Sequence, residues 1–208
     1  MGFEISNRDW QIAYDYAKNA ILSADPAHDF DHILRVVRLT RQLCEKIPHA
    51  SSSLAVLIAL LHEMNDDKLF PVSQVEKTRE MLLSLSLPSD KADFIIEAIS
   101  LISYRKHPTL SEDTRIEVKI VQDADRIDAL GAIGVARAFT YGGSKGRPLY
   151  SRDGGEADTI SHFYDKLLLI YDLLNTAEAR ELAKPRNEFL KLFVKNFMQE
   201  MNDIDNSQ

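Results

Sequence analysis

Leu60-Leu61-His62-Glu63-Met64-Asn65-Asp66-Asp67-Lys68 is the stretch from which the rest of the chain is read. An apolar run, Ala55 to Leu61, ends in a histidine and three carboxylates within six residues. Charges that leave water must be paired or must hold a cation, so a buried helix finishing this way needs a cause. The simplest is that His62 and Glu63 grip a divalent metal. Adjacent residues on a regular helix point about 100° apart, so such an ion sits off the helix end. Asp66 is four residues after His62, and Asp67 is four after Glu63. If the helical turn persists, each aspartate lies on the side of its predecessor. There a carboxylate can orient an attacking water or take its proton.

Composition sets the frame. The chain has 208 residues, 45% hydrophobic and 27% charged, which suits one soluble globular domain with an ample core. The formal net charge of −7 disfavours a long nucleic acid as partner. A phosphorylated small molecule remains compatible, because a local cation or metal overrides the global sign. Cys44 is the single cysteine, so neither an intramolecular disulfide nor a thiolate metal cluster can form. It reads as a small core side chain. There is no signal peptide and no apolar run near the roughly eighteen residues a membrane span needs, so the expectation is a cytoplasmic protein without membrane contact. A homodimer is left open.

Working outward, the periodicity predicts an all-α chain. Ser6 with Asp9 forms a capping box for a helix to about Leu22, which Asp25-Pro26 breaks. A second helix, about Asp29 to Lys46, carries Ile33, Val36, Val37, Leu43 and Cys44 at helical spacing, with His32 in its first turn. The apolar helix from about Ser52 to Glu63 follows. Ser73 with Glu76 caps the next, and Pro88-Ser89 opens one with Phe94, Ile95, Ala98, Ile99 and Ile102 on a face. Ser111 and the acids after it start another. Its Ile116-to-Ile120 run alternates like a strand but is read as helix, because Val121 and Ala124 continue the helical spacing. Ile127 to Phe139 is expected to stay helical, with Gly131 and Gly134 marking close packing or a break. Tyr141 to Gly155 holds five of the eight glycines and reads as a long binding loop or lid. Beyond it come helices from Ala157 to Leu174 and from Thr176 to Ala183, the second capped by Asn175 with Glu178 and ended by Pro185. A last helix carries Phe189, Phe193 and Phe197, more often core than cofactor site, and 202–208 form a frayed tail. No linker divides the chain, so 1–208 is read as a single domain with the C-terminal helices on the core.

At this point the sequence resembles a known family. His32 in Asp31-His32-Ile33-Leu34-Arg35-Val36, the pair after Leu60-Leu61, and Asp125 in Asp123-Ala124-Asp125-Arg126 are similar to the H…HD…D signature of HD-domain metal-dependent phosphohydrolases. Gln122 to Gly134, Ala138 to Gly143 and His162 to Leu168 resemble runs of its small bacterial YpgQ/YedJ-like branch. The resemblance spans about Trp10 to Glu200 and implies an all-helical HD fold. It also implies one divalent metal and hydrolysis of phosphate esters or phosphoanhydrides, probable substrates being nucleotides. The ligands it implies are His32, His62, Glu63 and Asp125, with glutamate at position 63 where the signature has aspartate.

Imidazole and carboxylate ligands suit Mn²⁺, Fe²⁺, Co²⁺, Ni²⁺, Zn²⁺ or Mg²⁺. Asp66 or Asp67 is expected to handle the attacking water, with Lys68 beside them. Lys68, Arg35, Lys145, Arg147 and Lys166 are the candidates for neutralising phosphate charge. Lys145 and Arg147 lie in the glycine-rich loop, and His162 with Lys166 share a helix face at i, i+4. The bland readings are a dipole-favoured histidine at a helix end for His62, a solvated turn for Asp66-Asp67, and surface positions for His49 and His107; His28 reads as a loop residue, with a pocket-rim role open. Two rival functions stay open: a nucleotide-binding helical module without turnover, and a hydrolase of a signalling nucleotide.

Overall fold

The computed structural model describes residues 3–22, 30–66, 69–102, 109–151 and 158–205. Within them the all-α expectation holds: nine α-helices and two 3-10 turns, with no strand among the described residues. The chain divides into two compact units, Met1–Asp125 and Arg126–Gln208. No described helix is long and apolar enough to cross a membrane.

The first unit is built around α3 (Ser52–Leu61), every residue of which from Leu54 to Leu61 is buried. A helix apolar on all sides must be enclosed by others. Here α1 (Asn7–Leu22), α2 (Phe30–Lys46) and α5 (Ser89–Ser100) pack against it, and α4 (Ser73–Ser84) packs on α1 and α5. The Ser6–Asp9 capping box forms as the spacing predicts, with the Asp9 N–H on Ser6 Oγ at 3.1 Å. Cys44 is buried in α2, and burial pushes its thiol up to about 11, consistent with a core role.

Two starts differ from expectation. Ser73 makes no cap; the first donors of α4 are met by Pro71 O and Val72 O, a backbone turn that needs no polar side chain. The helix expected from Ser111 begins instead at Ile116, because Ser111 to Thr114 closes a separate turn. This helix, α6 (Ile116–Asp128), is regular through the run that alternates like a strand. Its Glu117 is buried and does what Ser51 does not: Glu117 Oε1 accepts the Ser51 N–H at 3.0 Å, at the start of α3. The positive end of a helix dipole favours a carboxylate there, and Arg115 Nε on Glu117 Oε2 at 3.1 Å completes the arrangement.

In the second unit the helix expected through Phe139 is interrupted. Gly131 has φ +72°, a conformation that costs other residues, and α7 (Gly131–Ser144) starts anew there. The glycine-rich loop is therefore shorter than expected, since Tyr141 to Ser144 belong to α7; residues 152–157 lie outside the described set. The helix expected from Ala157 to Leu174 splits into α8 (Thr159–Asp165) and a 3-10 turn (Leu167–Leu173).

Pro185 does not end a helix. α9 (Ala177–Asp205) runs straight past it. Its buried positions Ala179, Ala183, Asn187, Leu190 and Val194 recur every three or four residues on both sides of the proline. Packing on α7 and on the Leu167–Leu173 turn thus outweighs the lost hydrogen bond. Thr176 Oγ1 caps the first turn of α9 by accepting the Ala179 N–H at 3.2 Å. Phe193 and Phe197 join a ring cluster with Phe139, and Phe193 also stacks on Phe163; Phe189 is largely exposed.

Asp158 caps α8 with one carboxylate oxygen on the Ser161 N–H and the other on the Ser151 N–H. Burial pushes its carboxyl up, but these donors outweigh it and hold it below the usual range. Asp158→Ala is expected to cost about 1 kcal/mol. Because the folded value is depressed, that contribution is present above the ordinary aspartate range and disappears as pH falls through the folded value. Urea denaturation of both proteins at neutral and acid pH checks it: the gap should close on acidification.

Candidate metal centre

α3 ends at Leu61, and the chain tightens into the 3-10 turn His62–Asn65. That change brings two adjacent side chains to one point off the helix end. His62 Nε2 and Glu63 Oε1 are 3.6 Å apart. His32, in the first turn of α2, places Nε2 at 3.3 Å from Glu63 Oε1 and 3.3 Å from His62 Nε2. Asp125, near the end of α6, brings Oδ1 to 3.4 Å from His32 Nε2 and 3.8 Å from His62 Nε2.

The spacing suits a shared cation. Donors about 2.1 Å from one tetrahedral ion lie about 3.4 Å from each other. The chemistry of the donors agrees. His62 Nδ1 lies 2.7 Å from Ala59 O, so that nitrogen carries the proton and donates it to the carbonyl. His62 Nε2 then presents a lone pair to the cluster, the usual supporting contact of a metal-bound histidine. Lone pairs and carboxylate oxygens converging within 4 Å call for positive charge between them.

His32 and His62 are buried, and Glu63 nearly so. Burial raises the Glu63 carboxyl, but the two imidazoles beside it hold it well below the usual range. Asp125 behaves alike: burial raises it, but the His32 hydrogen bond and the neighbouring imidazoles outweigh that and hold it below the usual range. Both acids are therefore ionised and ready to ligate at neutral pH.

The other expected site residues fall as follows. Asp66 is the cap of the His62–Asn65 turn, with extended backbone, so it does not stack above His62 as a continued helix requires. Asp67 and Lys68 lie outside the described residues, as do His28 and His107. Arg35 is half-buried on α2, three residues after His32 and so on the same side of the helix. The remaining four belong to the second unit. Lys145 follows α7, and its ammonium and the Arg147 guanidinium lie 5.7 Å and 5.6 Å from the Tyr141 ring centre. His162 is on α8; Lys166 is one residue past its end with φ −139°, so the expected shared helix face does not form. Asp123 and Asp128 are fully buried, and Asp128 pairs with Arg137 at 2.7 Å. The Ala59 carbonyl was not singled out from sequence, although its position three residues before His62 is the signal that finds it.

An HD domain family model matches residues 29–130, the interval that holds all four converging side chains. YpgQ of Bacillus subtilis is 36% identical over 193 residues, 91% of this chain and 92% of that protein. The chain belongs to the HD-domain family. Its likeness to YpgQ places it in the YpgQ-like branch. The crystal structure of B. subtilis YpgQ in complex with ADP superposes with a TM-score of 0.77 at 32% identity, covering 93% of this chain and 95% of that one. An HD-superfamily hydrolase from Bacillus thuringiensis gives 0.76 at 32% identity, covering 94% and 99%. The chain thus has the fold of an HD-superfamily hydrolase, and its His32, His62 and Glu63 form a cluster able to hold a divalent metal.

Proposed function

We propose that this HD-domain chain is a metal-dependent phosphohydrolase of nucleotides that cleaves phosphoanhydride bonds. The observation that carries the reading is the convergence of His32, His62, Glu63 and Asp125 from three separate segments: the two imidazole nitrogens are 3.3 Å apart, and each carboxylate lies 3.3–3.8 Å from both. The ADP complex of YpgQ supports a nucleotide as the ligand. Glutamate in place of the signature aspartate does not withdraw from the cluster, because Glu63 Oε1 reaches both imidazole nitrogens. That favours a working site over a decayed binding module.

In this reading the four side chains hold one divalent cation, which when bound polarises a phosphoryl oxygen and acidifies water. His62 is kept in the ligating tautomer by Ala59 O. Asp66 or Asp67 orients the attacking water and takes its proton. Arg35, and Lys68 beside the acids, offset charge on the phosphates. α3 and its buried neighbours keep the ligands on rigid elements, so little reorganisation accompanies reaction.

The test is a screen of nucleoside di- and triphosphates with Mn²⁺, Co²⁺, Mg²⁺ and Zn²⁺, with products identified. Phosphate or pyrophosphate release that requires added metal is the expected outcome. No product from any nucleotide under any metal overturns the reading. Glu63→Gln keeps the shape but removes the charge. It should weaken Mn²⁺ binding about tenfold or more in a direct titration, and an unchanged affinity would remove Glu63 from the ligand set.

A further inference from the structure

A groove of about 460 Å³ opens beside the metal centre's own segment, lined by Tyr16 and Asn19 of α1, by Leu69, Phe70 and Pro71, and by Gln74 of α4. It is large enough for a heteroaromatic ring. Its floor is unusual. Gln74 is only 9% exposed, yet it is a primary amide rather than an apolar residue.

The hydrogen bonds around Gln74 run in one direction. The Thr78 hydroxyl donates to the Gln74 carbonyl oxygen of the backbone at 2.8 Å. Its oxygen is then the acceptor for Tyr16 O–H at 2.9 Å. Tyr16 in turn accepts from Gln74 Nε2 at 2.9 Å. This ring assigns the amide, which on its own could be turned either way. Gln74 Nε2 is pinned toward Tyr16, so Oε1 points the other way. Oε1 has no hydrogen-bond partner among the described residues and is not among the enclosed polar atoms. A buried amide held rigid, with its acceptor open to a groove that it lines, is a recognition group waiting for a donor.

The groove is tied to the metal centre through the backbone. The Asp66 N–H bonds to Glu63 O at 3.0 Å, and Asp66 O accepts the Phe70 N–H at 2.9 Å. Asp66 therefore bonds on one side to the turn that carries the ligand Glu63 and on the other to Phe70 in the groove wall.

We propose that this groove is the base subsite, with Phe70 against the ring face and Gln74 Oε1 accepting the exocyclic amino group of an adenine-type base. The proposal rests on the nucleotide reading above and adds where the base goes and what selects it. Amide side chains read adenine through N6 and N7 together; with Nε2 held by Tyr16, Oε1 takes the amino group alone.

The experiment is calorimetric titration of the full chain with Mn²⁺ bound, with product assayed after each run so that heat from turnover is subtracted. The probes are ADP, IDP (an oxygen in place of the amino group) and inorganic pyrophosphate. Wild type should bind ADP about tenfold more tightly than IDP, the scale of one buried hydrogen bond. Gln74→Leu should bring ADP down to the IDP level and leave pyrophosphate unchanged. Tyr16→Phe, which frees the amide but keeps the ring, should shrink the preference without abolishing binding. Equal affinities for ADP and IDP in wild type overturn the proposal, as does absence of ADP binding. So does a Gln74→Leu variant, shown to be folded, that weakens pyrophosphate as much as ADP; a Gln74→Leu variant that does not fold leaves Tyr16→Phe to decide. If ADP is preferred and read by Gln74 while no metal elicits product, the subsite stands and the hydrolase reading falls.

Discussion

His62→Ala is expected to abolish stoichiometric Mn²⁺ binding and to lower nucleotide hydrolysis by about a thousandfold or more. The substitution removes one of four donors, and the one best braced for the task. Its Nδ1 is committed to Ala59 O, and its Nε2 sits within 3.8 Å of the other three. A metal contributes several kcal/mol of transition-state charge stabilisation, and each 1.36 kcal/mol is about tenfold in rate. The side chain is buried at a helix end, so water cannot replace it without opening the cluster. Metal content after dialysis and the rate with saturating nucleotide provide the check, with circular dichroism to show that the fold survives. Metal-dependent turnover within threefold of wild type would sink the four-ligand assignment.

Gly134→Ala should lower the melting temperature by about 10 °C. A Cβ at this position lies 2.1 Å from the Ala129 carbonyl oxygen, which is backbone and cannot swing aside. Glycine-to-alanine in a helix ordinarily stabilises by about 1 kcal/mol, so the sign here is set by the clash. Overpacking against backbone costs about 3 kcal/mol, and a chain of this size loses roughly 2–4 °C for each. Gly143 in the same helix supplies the control. A Cβ there meets nothing within 4 Å, so Gly143→Ala should leave the melting temperature unchanged or raise it. Equal behaviour of the two variants would contradict the close approach at Gly134.

The metal cluster was readable in part because its chemistry is abrupt. An apolar helix that ends in His62-Glu63 advertises a buried polar function whatever the fold. Asp125 was not separable from Asp123 and Asp128 by pattern, since all three sit in one short acidic run. The family resemblance chose it, and the structure supplies the physical distinction: Asp123 and Asp128 are enclosed, while the Asp125 side chain keeps 27% of its surface. Helix limits depart from the sequence pattern where the deciding partner is not a nearby side chain. The donors of α4 are met by backbone and the start of α3 by Glu117, neither of which leaves a local signature. Pro185 reads as a stop because a proline's cost is local, whereas the buried stripe that outweighs it extends from Ala179 to Val194 of α9. Gln74 gave no signal, because a glutamine on an amphipathic helix is ordinarily solvated.

Glu117 accepts from Ser51, the residue before α3, and Asp125 approaches His62, the residue after its last. The eight-residue interval between these acids therefore works as a ruler laid alongside the apolar rod, about 12 Å long at 1.5 Å per residue. Both ends of the ruler are read at once, so its length and its phase are fixed together. One residue gained or lost between Val118 and Ala124 turns Asp125 by about 100° and leaves the other three donors without it. Change in the number of residues is thus confined to the flanks of this interval, while its side chains stay free to vary wherever the core still fills.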